Sequence, residues 1–354
     1  MSAGSSSIYS SGTPLWGQAW KLVVTYATSG GAPQQVVLGS SAWEPEALRV
    51  TFDVLQAMNS SPFWYADISV YNLTTQEAQS ALLNATWVEL SAGFQSGPNR
   101  SSVIWSGPVF QTIYTRENVV DQKVTLHCVA NPFVMDSIVS FSVGPYRTQA
   151  QLVAQMASEI DLPPLSYGQG TVGAQAAQRM TATQYPRGNT VFGKTSKYFA
   201  QIADSNFLQS WHDGQQAYIS EVDNGKRSPD LIYAPAFPPG YSLQALGLPP
   251  GTTTSIVGTP AQIPQGVVFT VLLDPRIKVG LPPLLTQLVR TQITQQVYTP
   301  TPQGGTPVTA YNSNLLFFVT QVRHTGDTRG NEWHTEVTGF STAYAQTLLL
   351  MYTT

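Results

Sequence analysis

The sequence predicts a mainly β protein with α+β inserts, in which two β-barrel-like domains are joined by small helical and α+β segments. Three observations predict this. Apolar and polar residues alternate with period two in short runs near both ends of the chain, the period of a strand with one buried face. Gly, Pro, Asn and Asp punctuate those runs at short spacing, as turns between strands require. The helical period takes over chiefly in the middle, between Thr148 and Ser205.

The first domain, residues 1–135, opens with a polar leader. Trp20, Leu22, Val24 and Tyr26 then alternate, and Gly30-Gly31-Ala32-Pro33 turns the chain toward Val36 and Leu38. Leu48, Val50, Phe52 and Val54 share one face of the next strand, and Trp64, Ala66, Ile68 and Val70 one face of another. Thr74-Thr75-Gln76-Glu77 reads as a capping box, predicting a helix from Glu77 to Leu83. Strands resume at 87–94, 103–107, 109–115 and 123–129, and the domain closes near Asn131-Pro132. Some seven strands and one short helix predict a barrel or sandwich.

Residues 136–187 read as a helical and low-complexity connector. Leu152, Met156 and Ile160 fall at i, i+4 and i+8 behind Thr148 as cap, and Pro163-Pro164 stops that helix. The Gly/Gln/Ala stretch that follows, through Arg187, reads as exposed. Residues 188–254 form a small α+β unit with a proline-rich loop. Its helix, 195–205, is expected to bury Phe199, Ile202 and Ala203, and Asp213-Gly214 between alternating runs signals a hairpin.

The second β-domain is 255–354. A strand over 266–273 is stopped by Asp274-Pro275, and 284–297 favours neither period. A closing hairpin follows: the run from Leu315 to His324 and the alternating Trp333, Thr335 and Val337 flank a linker in which Gly326 and Gly330 are expected to supply positive φ. Asp327 and Asn331 there are suited to bond their own backbone.

Charged residues make up 10% of the chain, against about 25% in ordinary globular domains. A neutral, hydrogen-bonding surface suits a subunit locked into an assembly or exposed outside a cell. The net charge of −3 gives no basic footprint for holding nucleic acid. The single cysteine, Cys128, excludes an internal disulfide framework and reads as a buried structural thiol. The N-terminus carries no basic-then-apolar signal region, and no apolar run approaches the ~20 residues of a spanning helix, so folding in a cytoplasm without membrane insertion is expected.

Candidate chemistry is sparse. His324 and His334 flank the hairpin tip, but their spacing fits no zinc pattern. Asp327 and Glu332 share that tip, where pairing with Arg323 or Arg329, or solvation, is the default over the two carboxylates across a cleft that glycosidases need. Glu44-Pro45-Glu46 reads as a solvated loop. Residues 188–195 fit the letters of a phosphate-binding loop, Gly188 then Gly193-Lys194-Thr195, yet no buried strand of a parallel sheet precedes them. The eight tryptophans and Tyr26, Tyr65, Tyr71 and Tyr114 are assigned to core or subunit packing. No catalytic, cofactor-binding or metal-ligating residue is expected, and the chain is not expected to be an enzyme.

The order of these features resembles a known family. A strand carrying Arg49, then Ile68-Ser69-Val70-Tyr71-Asn72-Leu73, a capped helix, Val88-Glu89-Leu90-Ser91-Ala92-Gly93-Phe94 and Ile104-Trp105-Ser106-Gly107-Pro108-Val109-Phe110 come first. The central helix and hairpin, Thr259-Pro260, Leu273-Asp274-Pro275, Val279-Gly280 and the run from His324 to Trp333 complete the set. Together they resemble the baseplate hub proteins of contractile-tailed bacteriophages. The proline-rich regions 234–254 and 281–309 depart from that pattern. The resemblance implies a homotrimeric ring in the virion tail baseplate, joining the tail tube protein to the central spike protein beside other baseplate proteins, with DNA only passing through the lumen. Two barrel-like domains per subunit would let three chains match a sixfold tube and a threefold spike. The alternatives are another tail structural or adaptor protein, a tail-associated cell-wall hydrolase, or a sugar-binding module.

Overall fold

The computed structural model describes residues 17–28, 31–40, 48–57, 64–73, 76–95, 100–119, 121–130, 137–161, 166–167, 170–206, 208–212, 217–220, 232–233, 252–253, 256–263, 266–279, 284–285 and 317–341. The protein is mainly β. The N-terminal part comprises β1 (Gln18–Tyr26), β2 (Gln34–Ser40), β3 (Val50–Ala57), β4 (Tyr65–Tyr71), α1 (Gln76–Leu83), β5 (Ala85–Phe94), β6 (Ser102–Arg116) and β7 (Gln122–Val129). In β1, β3, β4, β5 and β7 alternate residues are buried: Leu22 and Val24, Val50 and Val54, Ile68 and Val70, Val88 and Leu90, Leu126 and Cys128 meet in one core that Leu82 of α1 joins. Thr74 and Thr75, the expected cap of α1, lie outside the described residues.

The two strands expected at 103–107 and 109–115 are one. β6 runs 15 residues, pairing with β5 as far as Pro108 opposite Trp87, and with β7 from Val109 onward. Proline lacks an N–H and is tolerated where a ladder changes partner. Gly107-Pro108 therefore marks a corner at which the sheet turns over its own core, where a break between strands was expected.

The middle of the chain forms a second core. β8 (Ile138–Val143), β9 (Arg147–Thr148), α2 (Gln149–Glu159), α3 (Gly170–Ala182), β10 (Gln184–Tyr185), β11 (Asn189–Lys194), α4 (Thr195–Ser205), β12 (Gln209–His212) and β13 (Ala217–Ser220) follow in order. Thr148 and Gln151 make a reciprocal capping box at the start of α2. Leu152 and Met156 of α2, Phe199, Ile202 and Ala203 of α4, and Val139, Val191, Leu208 and Ile219 pack together. The Gly/Gln/Ala stretch expected as an exposed connector supplies α3, whose Ala176 and Met180 are fully buried in this core. The boundary expected between 187 and 188 falls inside the unit, because β11 pairs with β8 along its whole length. The hairpin expected around Asp213-Gly214 is present as β12 paired with β13.

Short β14 (Ile232–Tyr233) and β15 (Thr252–Thr253) precede β16 (Ile256–Ile263), β17 (Gly266–Leu272), β18 (Leu284–Leu285), β19 (Phe317–Asp327) and β20 (Trp333–Ser341). The expected closing hairpin is β19–β20, and it does not stand apart from the N-terminal strands. β19 pairs antiparallel with β3 from Gln321 opposite Ala57 to Asp327 opposite Thr51. One eleven-stranded sheet results, in the order β16-β17-β20-β19-β3-β4-β7-β6-β5-β1-β2.

The glycines of the tip do not serve as expected. Neither Gly326 nor Gly330 has a positive φ. Gly326 is required by crowding: a Cβ there would lie 2.3 Å from Cζ of Phe52 and 2.9 Å from Cε3 of Trp333. Those two rings pack edge to face at 5.3 Å. Gly326→Ala should therefore cost about 1–3 kcal/mol by overpacking. Urea unfolding of the variant beside wild type measures this, and an unchanged midpoint would refute the crowding argument.

Candidate functional site

The hairpin tip that the sequence singled out is a structural junction. Arg49, one residue before β3, donates from Nε and Nη2 to the two carboxylate oxygens of Asp327 at 3.2 and 2.8 Å. One turn of the pleat further on, Arg323 of β19 makes the same fork with Asp53 of β3, at 2.8 and 2.7 Å. Thr328 completes the seam, its Oγ1 accepting from Val50 N at 2.9 Å. Arg49 also lies over the Tyr71 ring, 4.7 Å from its centroid.

The Asp327 carboxylate is thus forked by Arg49, and it meets Arg329 through that residue's backbone, Arg329 N donating to Asp327 Oδ1 at 3.0 Å. Burial pushes the Asp327 carboxyl up, but the Arg49 fork, the N–H groups of Arg329 and Gly330 and the Arg49 charge together hold it below the usual carboxylate range. Glu332 is exposed and joins the tip through its carbonyl, which accepts from Asp327 N at 2.7 Å.

The two histidines do not converge. In the ladder His324 faces Thr335, and His334 faces Thr325. Neighbouring ladder positions point to opposite faces of the sheet. His324 is buried and His334 half-buried. Among the described residues no group of three or more His, Cys, Asp or Glu is placed to hold a metal. Beside His324 stands a buried network: Asp274 N donates to Thr335 Oγ1 at 3.1 Å, and His324 Nδ1 lies 2.8 Å from the same oxygen. Asp274, fully buried, is forked by Arg276 Nε and Nη2 at 2.9 and 2.6 Å. This pairing was not expected from the sequence, although a charged residue two positions after a buried Asp-Pro turn is a readable signal.

The phosphate-loop letters are not a loop. Residues 189–194 are β11, Lys194 precedes the first turn of α4, and Thr195 donates its hydroxyl to Ser137 O at 2.9 Å. Cys128 is buried as expected, and burial, then the Asp67 charge, push its thiol up to about 12. Trp20, Trp105 and Trp333 are core residues, and Trp333 Nε1 donates to Gly93 O at 3.0 Å across to β5. Glu44 and Glu46 lie outside the described residues.

No family model matches the chain, and no curated relative matches its sequence. Its fold is similar to solved structures of tail proteins. A 43 kDa tail protein of prophage MuSo2 from Shewanella oneidensis superposes with a TM-score of 0.50 at 6% identity, over 91% of this chain and 98% of that one. A tail protein from Neisseria meningitidis gives 0.47 at 12% identity over 93% and 98%. An Escherichia coli component of the type VI secretion system, described as similar to T4 tail proteins gp27 and gp5, gives 0.41 at 8% over 85% and 76%. The chain has the fold of the Shewanella tail protein along nearly its whole length, which bears out the fold that the hub resemblance implied.

Burial pushes His324 down to about 4, with Asp274 pulling partly upward, so the folded protein keeps the ring neutral where the unfolded chain, near 6.5, takes a proton. Stability should fall by about 3 kcal/mol as pH drops from 6.5 to 4. Urea midpoints across that range should show the slope in wild type and lose most of it in His324→Gln.

Proposed function

We propose that this chain is a non-catalytic structural component of a bacteriophage tail baseplate: a hub, trimeric in its assembled form, that joins the tail tube to the central spike and leaves a lumen for DNA. The observation that carries this reading is the likeness in fold to the Shewanella prophage tail protein over 98% of that protein's length. The structural use of the chain's charges supports it. Asp327 and His324, two of the residues that could have served chemistry at the tip, are engaged in the Arg49–Asp327 pair and the His324–Thr335 network. An extended antiparallel sheet wrapped over a core, with few charges, is suited to standing in a ring and to letting phosphate pass without sticking.

The experiment is deletion of this chain from the genome that encodes it, with electron micrographs of the tails produced. Tails without baseplate and spike are expected, with restoration by the chain supplied in trans and an antibody label on it confined to the spike end of the tube. Complete, spike-bearing tails in the deletion would overturn the hub reading. Digestion of peptidoglycan by the purified chain would overturn its non-catalytic part.

A further inference from the structure

Among the described residues the eleven-stranded sheet ends in β16 on one side and β2 on the other. An edge strand offers its unpaired N–H and C=O groups to any strand that meets it, and proteins blunt such edges with proline, charge or a bulge. β16 is blunted. Pro260 lies within it and has no N–H to offer, Gly258 has a φ of 72°, and the pairing with β17 is broken between Val257 and Ala261. β2 is not blunted. Residues 34–40 pair with β1 in unbroken register and contain neither proline nor a charge.

The core also runs out at β2. In one row Leu22 and Leu90 are fully buried, while Leu38, the next along, is half-buried. In the neighbouring row Val24 and Val88 are fully buried and Val36 is half-buried. A further strand with two apolar residues facing inward would continue both rows. On the outward face Val37 is 56% exposed beside Val23. β2 itself meets this requirement. Residues directly opposite in an antiparallel pair share a face, so two copies of β2 pair over all seven residues with Val37 on the twofold axis. Val36 of each copy then stands opposite Leu38 of the other, which extends the core rows, and the two Val37 side chains meet outside. The one charge in β1 and β2 is Lys21. The two β1 strands would lie about 14 Å apart with both β2 strands between them, so pairing forces no like charges together.

We propose that β2 is the site at which two copies of this chain join, edge to edge and antiparallel, about a twofold axis at Val37. Such a contact is isologous, so the strand described here supplies both of its halves. A ring of three copies has no twofold axis. The pair is therefore a form of the free chain, opened before a ring closes, and it does not depend on the hub reading.

The test is the mass of the purified chain by light scattering across concentration, together with thiol cross-linking. Wild type is expected to pass from monomer to dimer as concentration rises, with little dependence on salt because backbone groups and valines make the contact. Val37→Lys sets two ammonium groups face to face and should weaken pairing about 10-fold or more. Its thermal unfolding should be unchanged, because the side chain points outward. Val37→Cys should give a disulfide-linked dimer under mild oxidation, since opposite Cβ atoms lie about 5 Å apart. Gln35→Cys should not, because its two copies would stand about 13 Å apart along the strands. Cys128 is buried and stays silent in both.

A wild type that stays monomeric to about 100 μM overturns the inference. So does a trimer, which would support the hub reading instead. Val37→Lys as dimeric as wild type, or Gln35→Cys cross-linking as fast as Val37→Cys, overturns it too. A monomeric chain whose Val37→Cys thiol is open to maleimide in solution and closed in assembled tails would assign the edge to another tail protein, which again overturns it. The deletion experiment judges the hub reading separately.

Discussion

The pairing of β3 with β19 is the contact on which the rest of the sheet depends. It brings together residues 264 to 276 positions apart in the chain. Closing a loop of that length costs on the order of 5 kcal/mol in chain entropy beyond the fixed cost of closure. The two Arg–Asp forks cannot supply that, since exposed ion pairs contribute about 1 kcal/mol or less each. Apolar burial can: Phe52, Val54, Val322 and Trp333 are almost completely removed from water along this seam, at about 1.5–3 kcal/mol for each large side chain. What the forks add is register. A slip of one residue would turn Phe52 and Val54 outward and carry Asp53 and Asp327 away from their arginines.

That division of labour explains which parts of the fold were legible in the sequence. The strands of the N-terminal core were readable because each buries alternate residues, and period two is local information. The closing hairpin was readable for the same reason. Its partner was not, because Gly326 looks like any turn glycine until Phe52, on a strand 274 positions earlier by number, is placed against it. Arg49 and Asp327 are equally silent about one another. α3 was missed because, among its described side chains, Ala176 and Met180 are the ones that anchor it to the core, too weak a stripe to stand out in a Gly/Gln/Ala run. Its helix is specified by tertiary packing more than by its own pattern. β6 was split because Gly107-Pro108 is a breaker in isolation, whereas a bending sheet uses it at a corner.

The candidate site followed the same rule in reverse. Letters that suggested chemistry, Gly188 to Thr195 and the pair His324 and His334, lost their meaning once strand direction was known. In β11 Gly193 sits in a ladder, and in the hairpin the alternation sends the two imidazoles to opposite faces. Conversely, the buried Asp274 carboxylate pairs with the half-buried Arg276, an ion pair that no motif announced. A fully buried carboxylate is costly unless it is forked and hydrogen-bonded, and here it is both.

Scarcity of charge then makes the location of each charge informative. At the seam where β3 meets β19, Arg49, Asp53, Arg323 and Asp327 cancel in pairs. Neutral forks fix which strands of one chain lie together, a matter settled on folding.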